Sequence, residues 1–331
     1  MKLLPNCLLD LHLHLDGSLS PNNVRKLADL QGISIPSDEK ELLELLTVGA
    51  HCPDLNTYLE KFAFPCRLLQ TECGLTAAVS CLLEELAAEG LLYAEIRFAP
   101  QKSTDCGLTQ MQAAQAAIAG LQGAKIKANL ILCCMRGDDN AAENLETVRV
   151  AKELLGKGVC AVDLAGAEAL FPTEDFSELF AYARKSGVPF TIHAGEAAGA
   201  ESVETALRFG ASRIGHGVRS VESADLLKKL AETGIPLELC PTSNLNTAVY
   251  PTLADYPLRT LMNAGVCVTI NTDNTTVSAT SIRRELALLT EEFNLTDAEL
   301  KQLCLNAAAA SFADTATKIF LREAIESAFS Q

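Results

Sequence analysis

The sequence contains no tryptophan, and it has only five tyrosines and five histidines in 331 residues. Basic residues are also scarce, with 27 Lys and Arg against 42 Asp and Glu and a net charge of −15. A chain this acidic lacks the electrostatic footprint of a nucleic-acid binder or of a protein that sits on an anionic membrane. A neutral small substrate is compatible with it. No C-x-x-C pair occurs among the twelve cysteines, and several lie in apolar runs (Cys81, Cys133, Cys160, Cys267). That argues against a disulfide framework or a cysteine metal site. It suits reduced thiols in a cytoplasmic protein, many of them acting as small buried apolar residues. No apolar run approaches the roughly 20 residues that cross a bilayer. No charged segment followed by an apolar one precedes residue 12, so a secretory leader is not expected.

What the chain does have is a rhythm of glycines. Gly90, Gly123, Gly156 (paired with Gly158), Gly187, Gly210, Gly234 and Gly265 succeed one another at steps of 23 to 33 residues. Each follows a helix-like segment and precedes a short apolar run. Glycine reaches the left-handed conformation without steric cost, so it stops a helix and turns the chain back. The run after it reads as a strand buried on both faces. Helix starts are marked too. Ser20-Pro21 places a cap before a first-turn proline, and Thr109 with Gln112 and Thr296 with Glu299 form capping-box pairs.

Seven such strands, plus one before residue 16, make eight. The expected fold is α/β, a (β/α)8 TIM barrel. A single domain over residues 1–331 is expected. Residues 17–90 are the one long gap and read as a helical insertion after strand one. It includes a helical segment from Asp54, and it is expected to cover the mouth where such barrels place their sites.

The stretch DLHLHLDGS, residues 10–18, holds two of the five histidines. Alternation along a strand puts Asp10, His12, His14 and Asp16 on one face and Leu9, Leu11, Leu13 and Leu15 on the other. Polar groups of this kind inside a barrel are costly unless something binds them. A divalent metal is the obvious candidate. His-x-His alone is weak support, since two polar residues at a strand end would look the same. The remaining residues strengthen it: His193, His216 and Asp273 end strands five, six and eight at the same mouth. His12, His14, His193 and Asp273 read as metal ligands, and His216 as a group acting on a metal-activated water. Glu196, three residues past His193, reads as a general acid kept protonated by burial; the alternative is a first-turn helix carboxylate. His51 reads as an ordinary surface residue. Arg97, at the end of strand two, reads as one half of an ion pair at the barrel mouth. The strand-four end, VDLAGAE, carries no lysine to bridge two metals, which favours one.

HLHLDGS, YAEIRFAP, DLAGAE, HAGE, RIGHG and NTDN occur in the order seen in adenosine deaminases, which the chain resembles from about residue 7 to about residue 325. YLEKFAFPCRLLQT and LNAAAASF resemble family segments as well. The resemblance implies the same barrel and hydrolytic removal of the 6-amino group of adenosine and deoxyadenosine, giving inosine or deoxyinosine and ammonia. It also implies one zinc ion per chain. The metal ligands would again be His12, His14, His193 and Asp273. Glu196 would donate a proton to purine N1, and His216 with Asp273 would orient and deprotonate the water. His14, Asp16, Gly166 and Asn274 would meet the substrate: Asp16 the ribose 5′-hydroxyl, Gly166 purine N3 through its N–H, and Asn274 purine N7. Asn274 replaces a usual aspartate, and an amide donates without needing to be protonated. Ala167 likewise replaces a common aspartate, with little consequence if Gly166 acts through its backbone. Other readings are a deaminase of adenine or of another modified 6-aminopurine nucleoside or nucleotide, and a barrel that binds nucleosides without catalysis.

Overall fold

The computed structural model describes residues 6–49 and 52–330. His51 lies outside the described residues. Among the described residues there are eight strands: β1 Leu8–His14, β2 Leu91–Phe98, β3 Lys127–Met135, β4 Val159–Ala165, β5 Thr191–Ala194, β6 Arg213–His216, β7 Leu237–Leu239 and β8 Val268–Ile270. They form two parallel four-stranded sheets, β1-β2-β3-β4 and β5-β6-β7-β8. Backbone bonds join the sheets at both seams. Val162 donates its N–H to Pro189 at 3.0 Å. On the other side Asp273 donates to His12 at 2.8 Å and His14 donates to Asp273 at 2.7 Å. The expected α/β barrel is the architecture observed.

The glycine pattern has the physical basis inferred from the sequence. Gly90, Gly123, Gly156, Gly187, Gly210, Gly234 and Gly265 all have positive φ, between 66° and 93°. At Gly187, Gly210 and Gly234 the glycine N–H closes directly onto the last helical turn. Ser20 caps the helix Pro21–Gln31 by accepting from the Asn23 N–H, and both capping boxes form.

The segment from Asp54 is helical, as Leu55–Leu59, a 3-10 turn Glu60–Phe62, and Ala63–Arg67. Pro65 offers no N–H to the turn before it, and its ring crowds the carbonyl four residues back. One local expectation is corrected: the alternation along β1 is interrupted. The pairing with β2 shifts between Asp10 and Leu13, and such a bulge re-aims the side chains around it. Asp10 accepts from the Thr272 hydroxyl at 2.5 Å and from the His12 N–H at 3.1 Å rather than joining the histidines. Burial raises its carboxyl to about 7.

The leucines of β1 sit in the main apolar core with the inner faces of the surrounding helices. All twelve cysteines are free thiols. Cys133 and Cys160 are buried, whereas Cys81 and Cys267 are only partly so. Among the described residues, no helix is long and apolar enough to cross a membrane.

Candidate active site

The strand ends bring the ligand-type residues together. One nitrogen or oxygen atom from each of His12, His193, His216 and Asp273 lies within 4.8 Å of all the others, and all four residues are buried. His14 joins from the cavity side. Its Nε2 is 3.2 Å from Nε2 of His193 and 3.3 Å from Oδ1 of Asp273. His12 Nε2 also lies 3.3 Å from that oxygen, yet it has no hydrogen-bond partner. Bare imidazole nitrogens crowding one carboxylate oxygen suit a divalent cation, and three imidazoles plus a carboxylate are a fitting donor set for one. This group could hold a metal.

The far ring nitrogens separate the histidines into two kinds. His12 Nδ1 is 2.7 Å from Oε2 of Glu238, and His193 Nδ1 is 2.9 Å from Oδ2 of Asp163. A carboxylate can only accept, so each Nδ1 carries the proton and each Nε2 presents a lone pair. His216 differs. Its Nδ1 is 3.1 Å from Nδ2 of Asn244, whose Oδ1 accepts from the Tyr256 hydroxyl. The amide donates, so Nδ1 of His216 accepts and its Nε2 holds the proton. Burial pushes the His14, His193 and His216 imidazoles below their ordinary value, which keeps them neutral.

Below the cluster lies a buried ionic network that the sequence reading missed. Arg97 bonds Asp163 and Glu238, each at 2.9 Å. Arg213 bonds Glu95 at 2.7 Å and Glu238 at 2.5 Å. Arg97 is indeed ion-paired, but it is fully buried among the strands rather than at the rim. It holds both carboxylates that orient His12 and His193. Although burial opposes it, Arg213 and Arg97 hold the Glu238 carboxyl well below the usual carboxylate range. The available signal was a charge at alternate positions in otherwise apolar strands, as in YAEIRF.

Glu196 follows β5 and is not a helix cap. The next helix, Ala200–Phe209, starts after Gly199 without a side-chain cap. The Glu196 carboxyl faces Thr247 Oγ1 at 3.3 Å and His216 Nε2 at 3.5 Å. Burial, then the negative charges of Asp273 and Glu168, push it well above its ordinary value. His216 and Asp273 have positive φ, 57° and 62°. Left-handed backbone at a non-glycine residue costs on the order of 1–2 kcal/mol, and such strain collects at functional sites.

These groups end a cavity of about 480 Å³. Leu55, Leu59, Phe62, Cys133 and Met135 give it apolar walls, and Asp16, Gly166 and Asn274 also line it. Oδ1 of Asp16 and Oδ1 of Asn274 are buried without partners. Gly166 has φ 112°, a conformation open to glycine alone in practice.

A parallel α/β barrel with an imidazole–carboxylate cluster at its mouth defines an amidohydrolase-type enzyme. The adenosine deaminase profile matches residues 5–328. An adenosine deaminase of Haemophilus ducreyi is 50% identical over 98% of this chain and 96% of its own length. Two solved structures superpose closely. An adenine deaminase from Arthrobacter aurescens has a TM-score of 0.89 at 28% identity, covering 99% of this chain and 100% of its own. A zinc-bound amidohydrolase from Burkholderia ambifaria has 0.87 at 26%, covering 98% and 91%. The chain belongs to the adenosine deaminase family, hydrolases that act on C–N bonds.

Proposed function

We propose that the protein hydrolyses the 6-amino group of adenosine and deoxyadenosine, releasing inosine or deoxyinosine and ammonia. The observation that carries this is the meeting of three groups at one end of an apolar cavity. They are the bare histidine nitrogens, the Glu196 carboxyl that burial holds well above its ordinary value, and Nε2 of His216. His12, His14, His193 and Asp273 would hold one zinc ion, and the Nδ1-anchored tautomers of His12 and His193 support that assignment. When bound, the metal supplies Lewis acidity that makes water a nucleophile at neutral pH.

Glu196 gives its proton to purine N1, which draws electrons from C6 and opens it to attack. His216 directs the water by donating from Nε2, and this tautomer favours orienting the water over deprotonating it. Asn244 keeps that proton on the inward nitrogen. Gly166 offers its N–H to N3, and Asn274 offers its amide to N7. Asp16 accepts from the ribose 5′-hydroxyl, which satisfies the orphaned Oδ1. Residues 17–90, within a single domain of 1–331, act as the cover, since Leu55, Tyr58, Leu59 and Phe62 line the cavity. Twelve free thiols support a cytoplasmic setting.

A second reading, a deaminase of free adenine, draws on the Arthrobacter aurescens structure. It leaves Oδ1 of Asp16, which lines the cavity, without a donor, at a cost of about 1–3 kcal/mol for a buried unsatisfied group. The test is a side-by-side ammonia-release assay of zinc-loaded protein on adenosine, deoxyadenosine, adenine and AMP. Fast turnover of the two nucleosides alone is expected. Preference for adenine or AMP would overturn the substrate assignment while leaving the chemistry in place.

A further inference from the structure

Glu168, three residues past the end of β4, has no part in the reaction described above. It is 1% exposed. Its carboxylate receives five donors. Oε1 accepts from the Gly195 N–H at 2.8 Å and from the Ser202 hydroxyl at 2.5 Å. Oε2 accepts from the N–H groups of Glu196, Ala197 and Ala198 at 3.0, 2.7 and 2.9 Å. Four consecutive backbone donors therefore converge on one side chain, and the second of them belongs to Glu196.

No regular element would otherwise satisfy these donors. The strand has ended at Ala194 and the helix begins at Ala200. Gly195 has φ 72°, and a Cβ there would fall 2.5 Å from Val203. The turn is thus fixed sterically at its start and electrostatically along its length. A chain of contacts continues behind it: Ser202 bonds Thr173 at 2.7 Å, and Arg136 bonds Thr173 at 2.9 Å and the His193 carbonyl at 2.6 Å.

We propose that Glu168 is a positioning residue for Glu196, holding the turn that aims its carboxyl into the cavity. The inference rests on Glu196 being the proton donor.

The test compares Glu168→Gln, Glu168→Asp and Glu196→Gln in zinc-loaded, folded protein, with adenosine as substrate. Glu168→Gln turns an amide donor toward backbone donors, and Glu168→Asp withdraws the oxygens by one methylene. In both, kcat is expected to fall about tenfold or more, while KM for adenosine and metal content stay near the wild-type level. A Glu168→Gln enzyme with wild-type kcat overturns the proposal. If that variant does not fold, wild-type kcat in Glu168→Asp overturns it instead. Full activity in Glu196→Gln would sink the assignment of the acid itself, a separate failure.

Discussion

Nδ1 of His12 lies 2.7 Å from Oε2 of Glu238, with both side chains fully buried. Glu238 also receives Arg97, Arg213 and the Thr191 hydroxyl, the last at 3.0 Å. One carboxylate thus sets the ring orientation of a histidine in the cluster that could hold a metal and anchors the ion pairs beneath it. Glu238→Gln should lower zinc affinity by about 10–100-fold, the usual worth of such an outer partner. It should also destabilise the fold, because breaking a buried ion pair costs about 3–5 kcal/mol. Competition with a chromophoric chelator and a urea titration would measure the two effects separately. Unchanged zinc affinity would mean that His12 is held by packing alone.

Glu196→Gln should keep the fold and the metal. Its amide is isosteric but has no acidic proton to give. The rate should fall by about 10²–10⁴, the typical contribution of a positioned acid. Because burial and two neighbouring carboxylates hold the Glu196 carboxyl high, wild-type activity should persist well above the ordinary carboxylate range and fall as pH rises further. That limb should be missing from the residual activity of the variant. A variant with near-wild-type turnover would remove Glu196 from the mechanism.

The histidine–aspartate cluster was legible because histidine is rare here, with His12 and His14 on the first strand and His193, His216 and Asp273 at or just past the ends of glycine-led strands. Burial at a barrel mouth then left few uses for His12, His14, His193, His216 and Asp273 other than a shared site. The glycines were legible for a similar reason, since positive φ is a property of the residue itself. Other features depend on distant partners. Glu168 acts through the backbone of residues 195–198, which carries no side-chain signature. The register shift between Asp10 and Leu13 lies in the pairing with β2, and nothing in DLHLHL encodes it. The Arg97–Glu238–Arg213 network was half visible as alternating charge, but its closure needs three strands to meet.

Gly17 packs against Asn274. A Cβ added at Gly17 would fall 1.7 Å from Oδ1 of the amide. Gly17→Ala must therefore displace the Asn274 side chain, while the histidines keep their places. KM for adenosine should rise about tenfold for each ~1.4 kcal/mol of lost binding, with zinc content unchanged. Asn274→Asp, by contrast, should retain deamination if a donor to N7 is what matters, since a protonated carboxyl can serve in that role. Wild-type KM in Gly17→Ala would show that Asn274 does not touch the substrate.

The Arg259–Glu299 pair gives a stability effect with a definite pH window. Glu299 closes the capping box of the helix Asp297–Ala310 and bonds the Arg259 guanidinium, which also reaches the Phe293 carbonyl. Arg259 first, with the Thr296 N–H, lowers the carboxyl from 4.5 to about 2. A group whose pKa is lower in the folded state stabilises the fold above its unfolded pKa. The benefit is lost as pH falls through the folded value, so the window runs from 4.5 down to about 2. Glu299→Gln keeps a side chain able to cap but removes the charge. The pair is partly exposed, and such pairs contribute about 0.2–1 kcal/mol. The variant should therefore melt about 0.3–1.5 °C below wild type at pH 7. That difference should shrink toward zero as the pH approaches 2, and salt should shrink it at neutral pH as well. A gap in Tm that stays constant across the titration would assign the loss to the cap rather than to the charge.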